Sequence, residues 1–235
     1  MVDDPAAIVH RRRLKRHLNI WRIAAVMAAI SAALVALSDY DDIGFTEHVA
    51  RLQVSGIILN NPARNGALRE AARRDAVKAL IVEIDSPGGT FVGGEALYNE
   101  LRSLAQVKPV VAVMGGTATS AAYMAAIGTS WVFARNGTVT GSIGVIMQTA
   151  DITGMLEKLG IKPETVKSGP LKAQPNPMEP FLPAARDATE EVVGDLYAIF
   201  VDMVATRREI DRDKVLTLAD GRVFSGRQAH QVGLV

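Results

Sequence analysis

The sequence predicts an α/β protein with a largely parallel inner sheet, preceded by an N-terminal transmembrane helix. Three observations carry this. From residue 49 onward, apolar strand-like runs alternate with amphipathic helical stretches, as in a parallel sheet joined by crossover helices. The run Val110-Val111-Ala112-Val113-Met114 has no polar side chain and reads as a strand covered on both faces. Residues 18–37 are mostly apolar, and a bilayer crossing needs roughly 20 such residues.

A basic run, His10-Arg11-Arg12-Arg13-Leu14-Lys15-Arg16-His17, lies directly ahead of that apolar stretch. Trp21 suits the membrane interface, and Arg22 can reach back to it. The positive-inside rule then makes residues 1–17 a cytoplasmic tail and residues 18–37 a single-pass signal-anchor in the inner (cytoplasmic) membrane. The chain from Ser38 on is sent to the outer, periplasmic side. A cleaved signal peptide, with Ala36-Leu37-Ser38 as its site, and a buried soluble helix are the competing readings. Residues 38–48 read as a linker and 49–235 as the folded domain.

Within that domain, residues 49–59 form a first strand, ended by Asn60-Asn61-Pro62. Residues 65–77, with Leu68, Ala71 and Ala72 among charges, form an amphipathic helix. Residues 79–84 are the second strand, closing in the turn Asp85-Ser86-Pro87-Gly88-Gly89-Thr90. A helix over 93–105 leads into the central strand, after which Gly115-Gly116 turns the backbone sharply. A helix of small residues follows, with Thr117, Thr119 and Ser120 each able to cap it. Residues 131–134 are a further strand, and 139–147 an extended segment. A short helix over 151–159 precedes a loop over 166–183 stiffened by Pro170, Pro175, Pro177, Pro180 and Pro183. A long helix over 184–208 carries Val193, Leu196, Phe200 and Val204 on a helical period. A turn-rich stretch over 219–226 and a short helix over 227–231 close the chain.

Composition narrows the function. Lys+Arg 26 against Asp+Glu 25 leaves a net charge of +1, so no nucleic-acid partner is expected. The hydrophobic fraction of 49% supports a core, which the 5% of aromatics leaves to be packed by aliphatic residues. The absence of cysteine excludes disulfides and thiol nucleophiles. His10, His17, His48 and His230 are not spaced as metal pairs, so no metal is expected.

Two glycine-rich turns after apolar strands, at 85–90 and 115–120, belong at one edge of such a sheet, where α/β sites form. Ser120 would lie in the positive field of a helix N-terminus, which favours an alkoxide. Alternatively it is only an N-cap. Gly88 and Gly89 have unshielded amides that suit an oxyanion hole, or form an ordinary tight turn. A nucleophilic serine needs a base, and His48, His230, Lys167 and Lys172 are the candidates outside the tail. A lysine serves only when burial or nearby dipoles lower its pKa, and Ser142, between Gly141 and Gly144, can orient it.

The segments Asp85-Ser86-Pro87-Gly88-Gly89, 114–123, Thr140-Gly141-Ser142-Ile143-Gly144 and Lys167-Ser168-Gly169-Pro170-Leu171-Lys172, with 220–229 and Gly233-Leu234-Val235, resemble bacterial signal peptide peptidase A (protease IV). The likeness is collinear over roughly residues 50–235 and matches the short, single-domain form. It implies a ClpP/crotonase-like fold and makes 49–235 a peptidase domain with a serine–lysine dyad. By resemblance Ser120 is the nucleophile, Lys172 the general base, Ser142 the lysine's hydrogen-bond partner, and Gly88 and Gly89 the oxyanion turn. The dyad in this family can form between neighbouring subunits, which implies a homo-oligomeric ring.

The implied activity is hydrolysis of hydrophobic peptides such as remnant signal peptides at the membrane, without a cofactor. Three departures stand out. Thr119-Ser120-Ala121-Ala122 replaces the family's usual Ala-Ser-Gly-Gly, Ala173 replaces an acidic residue, and the family commonly continues beyond the position of Val235. Rival readings are a related membrane serine peptidase with a dedicated protein substrate, a non-catalytic scaffold of the same fold, and a crotonase-type acyl-CoA enzyme.

Overall fold

A computed structural model describes residues 5–41 and 46–235, and within the first stretch the side chains of 14–33. The chain divides into two units, Met1–Glu47 and His48–Val235. The first holds helix α1 (Pro5–Asp41), on which Trp21, Ile23, Val26, Met27 and Ile30 are all exposed. Among the described residues no helix is long and apolar enough to cross a membrane. Of the expected span, residues 34–37 lie outside the described side chains.

The second unit runs β1 (His48–Ile58), α2 (Pro62–Arg73), β2 (Val77–Gly89), α3 (Phe91–Ala105), β3 (Val110–Thr119) and α4 (Ala121–Ile127). It continues through β4 (Trp131–Phe133), β5 (Val139–Gly141), α5 (Thr153–Lys158), α6 (Pro183–Arg208), α7 (Arg212–Leu218), β6 (Val223–Ser225) and α8 (Gly226–Val232). The strand order is β1-β2-β3-β5-β6, with β4 beside the first half of β3. Every pairing is parallel except β5 with β6. The expected α/β class with a largely parallel sheet is therefore present.

Local chemistry explains most boundaries. Asn61 caps α2 by accepting the Arg64 amide at 3.0 Å, and Pro62 suits the first helical position. This starts the helix three residues before the expected 65 and ends it at Arg73 rather than 77. Thr90 caps α3 through the Gly93 amide at 3.1 Å. Ser225 and Gln228 form a capping box on α8. Helix α7 and strand β6 are additions to the sequence reading; Asp211 caps the former, and the latter exists only because it pairs with β5.

Three further expectations are corrected. First, the sheet is buried on one face only. Val110, Ala112 and Met114 are fully buried, whereas Val113 is 40% exposed and Trp131 and Phe133 more so. The buried face packs with Leu68, Leu97, Leu101, Tyr123 and Phe200 in one apolar cluster, while the other carries the Arg51–Glu83 ion pair. Second, Gly115-Gly116 is not a turn. Strand β3 runs on to Thr119 because Thr117–Thr119 pair with β5, and Ala118 pairs with Ser86. Between Met114 and Ala118 the strand bulges against Asp85, whose carboxylate accepts the Thr117 amide at 2.9 Å. A Cβ on Gly115 would lie 3.2 Å from the Asp85 Cβ, so the bulge favours glycine there. Third, β2 likewise continues through the expected turn to Gly89, and the segment expected to extend to 147 leaves the sheet after Gly141.

Candidate functional site

Ser120 joins the end of β3 to α4 at φ 54°, ψ −123°. A non-glycine residue in such a conformation costs on the order of 1–3 kcal/mol and persists only when its surroundings impose it. Here they do. The Ser120 amide donates to Gly141 O at 2.8 Å and its carbonyl accepts from Met124 N at 2.9 Å. Ala121, Ala122, Tyr123 and Met124 behind it are all buried. The hydroxyl makes no capping bond, so the N-cap reading fails even though Ser120 occupies the N-cap position.

That residue opens on a cavity of about 750 Å³. Gly89, Thr90, Ser120, Ala121 and Ser142 line it, and α6 adds a mostly apolar wall of Val193, Leu196, Tyr197 and Phe200 with Glu190. The helical period of these wall residues is visible in the sequence; their place at a site is not, because it depends on where α6 lies. Gly88 adopts φ 110° and packs against Ser120, since a Cβ there would fall 2.9 Å from the Ser120 Cβ. Its own amide donates to Ser86 Oγ at 3.1 Å. Gly89, not Gly88, lines the cavity.

Ser142 also lies at the cavity, at φ 50°, its amide held by Arg222 O at 2.8 Å. Asp220, on the rim, forms a chelating ion pair with Arg222, which pulls its carboxyl down to about 2. The structure thus brings together Ser120, Ser142, Gly88 and Gly89. It does not bring Lys172 to them. Lys172 is exposed and outside the cavity lining, in a loop that turns back on itself as the Lys172 backbone N–H donates to Gly169 O at 3.1 Å. Lys167 is ion-paired with Glu179, which lowers the carboxyl's pKa. Among the described residues no lysine, arginine or histidine lines the cavity. Sequence reading overlooked the Ala121 amide, which starts a helix and so has no intrahelical acceptor. The signal was its place directly after the serine.

The sequence profile described as Peptidase family S49 matches residues 102–235. The chain is 37% identical over 189 residues to "Putative protease slr0021" of Synechocystis sp. PCC 6803, covering 80% of this chain and 68% of that one. It is 33% identical over 201 residues to "Putative signal peptide peptidase SppA" of Enterococcus faecium, covering 80% of this chain and 58% of that one. The chain thus spans between half and about two thirds of these relatives' length. Among solved structures, a point mutant of ClpP1 from Listeria monocytogenes superposes with a TM-score of 0.51 at 12% identity, over 79% of this chain and 88% of that one. The fold is therefore ClpP-like.

Proposed function

This chain belongs to peptidase family S49, and from that premise we propose that it is a membrane-anchored serine endopeptidase that cleaves hydrophobic peptides. The observation that carries the reading is Ser120: a strained serine whose hydroxyl caps no helix, lining a mostly apolar cavity and packed against Gly88 at the end of β2. Remnant signal peptides, apolar and released at the membrane, fit such a cavity.

In the proposed reaction the Ser120 oxygen attacks the scissile carbonyl and Lys172 takes its proton. The oxyanion is met by the Gly89 and Ala121 amides. Its collapse breaks the scissile C–N bond as Lys172 passes the proton to the leaving amine. Water then hydrolyses the acyl-enzyme ester to the free acid and Ser120. Ser142 orients the lysine. A lysine acts as a base only when desolvated, and Lys172 is exposed in the single chain, so the mechanism requires a second chain to bury it. A ClpP-like fold is compatible with such assembly. Residues 18–37 serve as the anchor in the inner membrane, with the peptidase domain on the outer side.

The test compares wild type, Ser120→Ala, Lys172→Ala and a co-refolded mixture of the two mutants on a quenched apolar peptide, using the full chain in detergent. Loss in each mutant with partial recovery in the mixture supports a dyad shared between chains. Activity surviving in Ser120→Ala would falsify the mechanism. Retention of the chain in membranes after alkaline extraction, and its release when residues 1–37 are deleted, tests the anchor.

A further inference from the structure

The Pro87–Gly88 peptide unit is gripped at both ends by hydroxyl groups from different strands. Thr119 Oγ1 donates to Pro87 O at 3.0 Å, and Gly88 N donates to Ser86 Oγ at 3.1 Å. Ser86 is fully buried, and its own proton goes to Gly56 O at 2.6 Å, which leaves its lone pairs facing the Gly88 amide. Thr119 is 7% exposed and directly precedes the nucleophile. Neither residue lines the cavity. Beyond the clamp, the Thr90 amide is held by Ile58 O at 3.0 Å. The short backbone between these fixed points contains Gly89, the last residue of β2, which does line the cavity.

We infer that Ser86 and Thr119 are positioning residues that set the plane of the Pro87–Gly88 peptide, so that the next amide, Gly89, is aimed at the oxyanion formed on attack by Ser120. The clamp acts on the transition state and leaves the apolar subsite alone. Thr119 couples the end of β2 to the nucleophile because it binds Pro87 O and directly precedes Ser120 in the chain. The inference rests on the peptidase reading above.

The test uses the full-length protein with Ser86→Ala, Thr119→Val and Thr119→Ser. It reads kcat, KM, and affinity for a peptide aldehyde, whose serine adduct carries the oxyanion. Ser86→Ala and Thr119→Val are expected to lower kcat and aldehyde affinity together by about 10- to 100-fold, with KM within about twofold. Thr119→Ser, which keeps the hydroxyl, is expected to restore most of both. The double variant Ser86→Ala/Thr119→Val should lose less than the product of the single losses, because both hydroxyls hold one peptide. Unchanged kcat and aldehyde affinity in Thr119→Val, or a rise in KM alone, overturns the clamp while leaving the peptidase reading intact. A wild type that neither cuts peptide nor binds aldehyde overturns the peptidase reading itself, and the clamp with it.

Discussion

The two halves of the proposed dyad sit in regions of opposite character. Ser120 stands between a paired strand and a wholly buried helix, with backbone bonds to Gly141 and Met124 and glycine contact from Gly88. Lys172 stands in the stretch between α5 and α6, where Leu159, Ile161, Val166, Leu171, Met178 and Leu182 are exposed. That stretch is held by the Lys167–Glu179 ion pair and the bond from Gln174 Nε2 to Glu179 at 2.6 Å. One chain therefore over-determines Ser120 and leaves Lys172 open to its surroundings. Strain at a reactive residue needs a rigid frame, whereas a residue completed by a partner needs an exposed one.

The largest effect that can break this contrast is Ser120→Ala, expected to lower kcat/KM by on the order of 10³-fold or more with little change in thermal stability. Next, Gly88→Ala places a methyl against the Ser120 Cβ and Thr119 O at a φ of 110°. Activity is expected to fall by about 100-fold or more, read by labelling with a fluorophosphonate. An alanine at Gly169, where an added methyl would meet nothing within 4 Å, should leave labelling unchanged. Tyr123→Phe tests the frame. The buried phenol, its pKa raised by burial, donates to Leu234 O at 2.9 Å. Its removal leaves a buried carbonyl unpaired and should cost about 1–3 kcal/mol in urea unfolding.

The smallest effect sharpens the rim. Asp220 is held at about 2 by Arg222, below its value in the unfolded chain, so the pair's contribution is present above the usual carboxylate range. It is lost as pH falls through that range toward 2. Asp220→Asn should flatten this acid-side dependence in thermal melts and lower the melting temperature at neutral pH by the same small amount, as expected for an exposed pair.

The sheet shows why some features were legible and others were not. Apolar runs at 79–84 and 110–114 identified their strands because alternation and continuity are local properties of the chain. Their extension to Gly89 and Thr119 was hidden, since glycine signals a turn locally, and only the bulge beside Asp85 and pairing with β5 keep the backbone extended. The run at Val110 suggested two covered faces; burial by helices on one side alone is a matter of where the crossovers lie. At the site, Ser120, Ser142, Gly88 and Gly89 were named from motif and resemblance, and the structure gathers them. The hydroxyls of Ser86 and Thr119 gave no local signal, because each acts on a peptide that only the fold brings near.

The class of fold, the order of most elements and the serine to consider were all written in the amino-acid order, because periodicity, caps and turn residues act over a few positions. Other properties came from assembly of the fold: that this serine is strained and uncapping, that α6 supplies the apolar wall, that Gly89 rather than Gly88 meets the cavity, and that Lys172 stands apart from it. Each of these depends on contacts between segments distant in the chain. Such contacts are fixed by packing rather than by local pattern.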